Sequence, residues 1–299
     1  MGDDAKVKAG EIDSRLFKLY DDYCHGYIGR REFFARAGTY TVSGASALAV
    51  AAALLPRYAE AQTISFTDER IRPRYVDYPS PGGTSGTMRG YLVAPDDDGP
   101  FPAVLVIHEN RGLNPHIEDV ARRAAVEGFL ALAPDGLAPI GGYPGNDDDG
   151  RAMQRTLDRG RLLRDMLNSA YFLKNHELSN GKLGATGFCW GGGAVNRLAV
   201  IMGDDLQAAA PFYGPAPKSE EVAEIRAALL VHYAEEDPRI NAMRADFKAA
   251  LEAAGVGFGM HTYPGTRHGF HNNSTPRYSE EAAKLAWERT IEFFDVHLF

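Results

Sequence analysis

Apolar, β-branched runs alternating with amphipathic stretches through residues 62–299 predict an α/β fold, with a mostly parallel sheet covered by helices on both faces. One turn-rich hairpin signature at the start of this region, and no internal repeat or linker after it, support a single domain over 62–299. Tyr75–Tyr78 and Met88–Val93 flank the Pro/Gly/Ser-rich turn Pro79–Gly86 and predict two antiparallel strands. Ala103–His108, Phe129–Ala133, Leu183–Phe188, Ala208–Tyr213, Ala228–Tyr233 and Phe258–Tyr263 are short apolar runs that predict buried strands. Between them Glu118–Glu127, Gly150–Asn175, Gly192–Met202, Glu220–Arg226, Ile240–Ala254 and Ser279–Val296 carry helical spacing. Pro95–Pro102 predicts a surface loop and Pro139–Gly150, with its glycines and three consecutive aspartates, a longer one.

Residues 1–61 differ in character. Gly29-Arg30-Arg31-Glu32-Phe33-Phe34 precedes 20 uncharged residues, Ala37–Pro56, and Ala59-Glu60-Ala61 supplies a small-x-small site. Together these read as a twin-arginine export signal cleaved after Ala61, which would place the mature protein in the periplasm. Residues 1–28 are instead long and acidic for such a signal, and Ile12, Leu16, Leu19, Tyr20 and Tyr23 predict an amphipathic helix over Glu11–Tyr23. The opposing expectation is an uncleaved helical extension that packs on the domain, keeps the protein cytoplasmic or joins copies into a homo-oligomer. A membrane contact would require the 37–56 segment to act as an anchor.

The 299 residues carry 40 Asp+Glu against 32 Lys+Arg, a formal charge of −8, and no basic stripe, which excludes a nucleic-acid partner. Two cysteines, Cys24 and Cys189, are too few for a disulfide framework or a structural zinc site. The histidines lack metal-ligand spacing, so neither metal nor cofactor is expected.

Chemistry concentrates in Gly187-Phe188-Cys189-Trp190-Gly191-Gly192, which follows a predicted strand and opens a predicted helix. Glycines on both sides let strand and helix approach closely around a strained residue, and the helix N-terminus favours a thiolate. The bland alternative is an inert buried thiol. A nucleophilic cysteine needs a base and an orienting acid. His268, on a Gly-flanked loop beyond the last strand, is favoured over His261 and His271. Asp237, last in Glu235-Glu236-Asp237-Pro238, is favoured over its neighbours. Oxyanion donors are expected from the backbone N–H of Trp190 and of Asn110, in the loop His108–Asn114. Glu109, at the end of a buried strand, is either a hydrogen-bonded structural group or a partner for the thiol's proton.

These residues resemble the dienelactone hydrolase family, small α/β-hydrolases with a Cys, Asp, His triad. The resemblance runs from about residue 70 to the C-terminus and rests on four motifs in order: His108–Asn114, Gly128–Asp135, Gly187–Gly192, and Asp237 with Tyr263–Phe270. It implies an α/β-hydrolase fold and a carboxymethylenebutenolidase-like enzyme cleaving a small ester, thioester or lactone. It also implies a catalytic role for Glu109 in activating Cys189. Family members acting on dienelactone hold its carboxylate with arginines after the Pro-Asp pair and after the catalytic His. Here those stretches read Gly136–Pro139 and His271–Asn273, without arginine. Tyr143, Trp190, Phe212, Tyr213 and Phe270 are accordingly expected either to line a pocket for a less charged substrate or simply to pack.

Two other readings compete. A non-enzymatic scaffold would have no need to keep Cys189 and His268 within about 5 Å, whereas catalysis requires it. A thiol redox role lacks a C-x-x-C pair.

Overall fold

The computed structural model describes residues 14–24, 27–37, 39 and 57–299. Helices α1 (Ser14–Cys24), α2 (Arg30–Ala37) and α3 (Tyr58–Ala61) precede the sheet. The observed α1 overlaps the helix expected over 11–23, whose first three residues lie outside the described ones. So does the 37–56 apolar run, apart from Ala37 and Thr39. Among the described residues no helix is long and apolar enough to cross a membrane.

Eight strands follow: β1 (Ile71–Ser80), β2 (Gly86–Pro95), β3 (Phe101–Ile107), β4 (Leu130–Pro134), β5 (Ser179–Phe188), β6 (Ala208–Phe212), β7 (Ala228–Glu236) and β8 (Phe258–Arg267). They form one sheet in the order β1-β2-β4-β3-β5-β6-β7-β8. β1 pairs antiparallel with β2, and β2 with β4; every other pair is parallel. Each expected strand is present, most with longer ends. The unbroken apolar runs have a direct cause: in β3, Leu105 and Ile107 enter the core on one face while Val104 and Val106 enter the core on the other.

The helices are α4 (Pro115–Val126), α5 (Asp147–Thr156), α6 (Arg159–Lys174), α7 (Trp190–Met202), α8 (Pro238–Asn241), α9 (Arg244–Ala254) and α10 (Glu280–Leu298). Four expectations need correction. The helix expected over Gly150–Asn175 is two, because Leu157 is extended and the Asp158 carboxylate accepts from the Arg161 N–H at 2.8 Å, capping a new helix. The loop expected over 139–150 ends early: Asn146 accepts from the Asp149 N–H at 2.9 Å, and the three aspartates fill the first turn of α5, where the helix dipole favours them. The helix expected over Ile240–Ala254 is likewise interrupted between α8 and α9, and Ser219–Glu224 is a 3₁₀ segment.

In an open α/β sheet, chemistry gathers beyond the carboxyl ends of the parallel strands. Glu109 follows β3, Cys189 ends β5, Asp237 ends β7 and His268 ends β8, so the topology brings all four to one edge of the sheet.

Candidate active site

Cys189 joins β5 to α7 with φ +57° and ψ −113°, a conformation rare for a residue with a Cβ and costing about 1–3 kcal/mol. The turn exists because its flanking glycines permit it. A Cβ on Gly187 would lie 2.5 Å from the Gly191 carbonyl oxygen, and one on Gly191 would lie 2.4 Å from that of Ile107. Both obstacles are backbone, so neither can swing aside. The turn is pinned by a Cys189 N–H to Phe212 C=O bond of 3.1 Å.

The structure brings Cys189, His268 and Asp237 together. His268 Nδ1 donates to Asp237 Oδ2 at 2.6 Å, and the imidazole hydrogen-bonds Cys189 on its other side. Asp237 also caps α8, accepting from Ile240 N–H at 3.3 Å, which fixes the carboxylate that orients the ring. The neighbouring acids point elsewhere: Glu235 accepts from the Gly265 N–H at 2.8 Å, and Glu236 pairs with Arg267 at 2.9 Å. His261 lies within β8, and His271 is buried with its ring stacked on Phe188 at 4.9 Å.

Burial alone would lower the pKa of His268, but the charge of Cys189 and the bond to Asp237 outweigh it and raise the value to about 9. Asp237 is held below the usual carboxylate range: its burial works the other way, and the hydrogen bond and charge of His268 prevail. Because the folded pKa of His268 exceeds its unfolded value of about 6.5, its stabilising contribution is complete below that pH and is lost as pH rises through about 9. A reaction that uses the imidazolium as its acid therefore declines over the same interval. The kcat/KM profile for an activated ester is expected to fall as pH passes about 9, and a profile still rising at pH 10 would contradict this.

Trp190 is the first residue of α7, so its N–H is among the helix's opening donors without an intrahelical acceptor. Asn110, Trp190 and Cys189 share one cavity of about 780 Å³. The loop carrying Asn110 is held by His108, whose Nε2 accepts from the Gly136 N–H at 3.1 Å while its other nitrogen donates to the Glu109 carbonyl. Burial lowers the pKa of His108 to about 4, so it holds the loop as a neutral ring.

Glu109 is buried, and its Oε2 accepts from Arg111 and, at 3.1 Å, from Asn272. Arg111 bridges on to Asp147 at 2.6 Å, and Asp147 also accepts from Tyr58 at 2.6 Å and Tyr143 at 2.8 Å. Burial pushes the Glu109 pKa up, but Arg111, then Arg277 and His268, pull it below the ordinary value. A carboxylate so held is a poor acceptor for the thiol's proton, and it lies within electrostatic reach of the imidazolium.

Of the five aromatics weighed for the pocket, only Trp190 lines the cavity at Cys189. Phe212, Tyr213 and Phe270 are buried behind it. Phe212 packs on Phe188 with ring centroids 4.9 Å apart, Tyr213 on His268 at 4.9 Å, and Phe270 on Tyr263 at 5.0 Å. Tyr143 serves Asp147. Among the described residues the cavity wall instead includes Arg155, Arg159 and Arg239 and no carboxylate, so the expectation of a less charged pocket is reversed. The stretches 136–139 and 271–273, where the family's arginines would stand, hold none; these three come instead from α5, α6 and α8.

Residues 88–298 match the model of the dienelactone hydrolase family, and residues 4–42 match a family described as YqhI-like. The hydrolase fragment YghX of Escherichia coli (strain K12) is 58% identical over 114 residues, which are 38% of this chain and 97% of that protein. A Bradyrhizobium protein named as a 2-oxo-3-(5-oxofuran-2-ylidene)propanoate lactonase is 30% identical over 245 residues, covering 77% of this chain and 96% of its own. The crystal structure of a Klebsiella pneumoniae protein named as a dienelactone hydrolase aligns with a TM-score of 0.64 and 28% identity, over 74% of this chain and 99% of that one. The chain thus belongs to the dienelactone hydrolase family, hydrolases of esters and lactones built on the α/β-hydrolase fold.

Proposed function

We propose that this protein hydrolyses carboxylic esters, thioesters or lactones bearing an anionic group, through Cys189 and a thioacyl-enzyme. The observation that carries the reading is the Cys189–His268–Asp237 chain of hydrogen bonds at the floor of a cavity whose charged lining is all arginine. The Cys189 thiolate attacks the carbonyl carbon, forming a C–S bond, and the oxyanion is met by the N–H groups of Trp190 and Asn110. Collapse breaks the C–O bond, and the imidazolium of His268 gives its proton to the leaving alkoxide. In a lactone the released hydroxyl stays tethered to the acyl group. Neutral His268 then takes a proton from water, which attacks the thioacyl carbon; the acid leaves and the thiolate–imidazolium pair returns. Asp237 holds the ring throughout, and Glu109, held by Arg111, favours the imidazolium. Arg155, Arg159 and Arg239 attract the substrate's anion.

Rapid-mixing kinetics with an aryl ester tests this. A burst of one equivalent per active site is expected, with an acyl mass increment mapping to Cys189. An ester carrying a distal carboxylate is expected to exceed its neutral isostere in kcat/KM by about tenfold, or about 1.4 kcal/mol. Absence of both burst and adduct, leaving only a binding protein on a hydrolase scaffold, would overturn the reading.

A further inference from the structure

We propose that the α1–α2 unit forms one wall of the active site, with Tyr27 as a specificity-determining residue at its mouth and the Cys24 carbonyl as the positioner of Asn110. This rests on Cys189 as the reacting group. The unit lies outside the residues that match the dienelactone hydrolase model, so the wall is an addition of this chain to the family's core.

Helices α1 and α2 have a small core of their own, in which Tyr23 stacks on Phe33 at 4.9 Å beside Leu16 and Tyr20. Its other contacts go to segments that surround the site. The Asn110 side chain donates to the Cys24 carbonyl at 2.9 Å, tying the loop proposed to hold the oxyanion to the end of α1. The Arg151 guanidinium of α5 sits 4.6 Å from the Tyr23 ring centroid, and the Tyr23 hydroxyl donates to Asp148. Arg267, adjacent to His268, lies 4.5 Å from the ring of Phe17. Arg277 is buried between the two parts: it donates to Asp21 at 3.3 Å, stands 4.9 Å from the Tyr20 ring, and acts electrostatically on Glu109.

Tyr27 completes the wall. Although 68% exposed, it lines the same cavity as Cys189 and Trp190. Residues 57–61, ahead of the sheet, are tied down too. Arg57 N–H donates to Ser274 at 2.7 Å, Asn273 donates to the Ala61 carbonyl at 2.7 Å, and the Tyr58 hydroxyl to Asp147. Cutting after Ala61 would therefore remove a side of the site, so in this proposal the unit stays with the working enzyme.

Two variants of the full chain test the wall, Tyr27→Ala and Phe17→Asp, the latter chosen to release α1 while thermal melting checks that the sheet persists. Alkylation of Cys189 by iodoacetamide and by a bulky fluorescein maleimide is followed peptide by peptide by mass spectrometry, which separates it from Cys24 and needs no turnover. The bulky-to-small rate ratio, and the kcat/KM ratio of a phenylbutyryl to an acetyl ester, are expected to rise about tenfold in Tyr27→Ala, the scale of pocket-size discrimination. They are expected to rise at least as much in Phe17→Asp. Should Phe17→Asp fail to fold, Tyr27→Ala decides alone. Ratios equal to wild type would overturn the wall while leaving the burst chemistry standing. Shifted alkylation ratios in a protein that shows no burst would support the wall and sink the hydrolase reading.

Discussion

Cys189→Ala is expected to lower kcat/KM toward activated esters by about 10⁴-fold, equivalent to about 5.5 kcal/mol of transition-state stabilisation. Alanine meets the same φ of +57° as cysteine, so it neither relieves nor adds backbone strain, and the loss is one of chemistry rather than of folding. What remains is the arginine-lined cavity with the proposed oxyanion donors beside it. The variant is therefore expected to retain affinity for a carboxylate-bearing ester, measurable by calorimetry. A variant within tenfold of wild type in kcat/KM would remove Cys189 from the mechanism.

The second large effect is one of stability. Arg111 is 2% exposed and satisfies two buried carboxylates, Glu109 and Asp147. Arg111→Leu keeps part of the apolar stem but takes the counter-charge from both acids, leaving them only neutral donors such as Asn272, Tyr58 and Tyr143, and breaking a buried pair of this kind costs about 3–5 kcal/mol. The melting temperature is expected to drop by about 10 °C at pH 7. The pH dependence changes with it. In the wild type the Glu109 pKa is depressed, so its contribution is present above the unfolded value of about 4.3 and is lost as pH falls through the folded one. Without Arg111 the largest downward pull is gone and the Glu109 pKa rises, so the stability gap between variant and wild type should narrow as pH is lowered from 7 to 5. Calorimetric melts at the two pH values check this. A shift under 2 °C at pH 7 would show that the pair carries little.

The central strands β3, β4 and β6 were legible in the sequence because each lies between two covered faces and must be apolar along its length, whereas the part-exposed β1 was marked by the Pro/Gly/Ser-rich turn that follows it. The turn at Cys189 was legible for a steric reason: close approach of backbone to backbone admits only glycine at 187 and 191. The pairing of Asp237 with His268 followed from their places at successive strand ends. Other features had no local signature. The Arg111–Asp147 bridge spans 36 residues and joins a loop to a helix, so neither residue alone signals it. Asp158 broke a run that kept its apolar spacing on both sides, and nothing but its side-chain bond to Arg161 marks the break. The aromatics at 212, 213 and 270 were open to misreading because strand ends near a site hold both lining and packing residues. Which is which depends on side-chain direction in three dimensions. Tyr27 was invisible as a pocket residue because its role depends on how the first helices fold back.

The break between α5 and α6 has an engineering consequence. Gln154, Arg155, Leu157, Arg159 and Leu162 all face the cavity, yet at about 100° per residue an unbroken helix would turn Leu157 away from Arg155, Arg159 and Leu162. The corner at Leu157–Asp158 is anchored at both ends by helices and contributes no residue to the sheet. Insertions or deletions of one or two residues at that corner would redraw the rim facing Cys189 while leaving the triad's strands untouched, so libraries aimed at new ester substrates are best varied there.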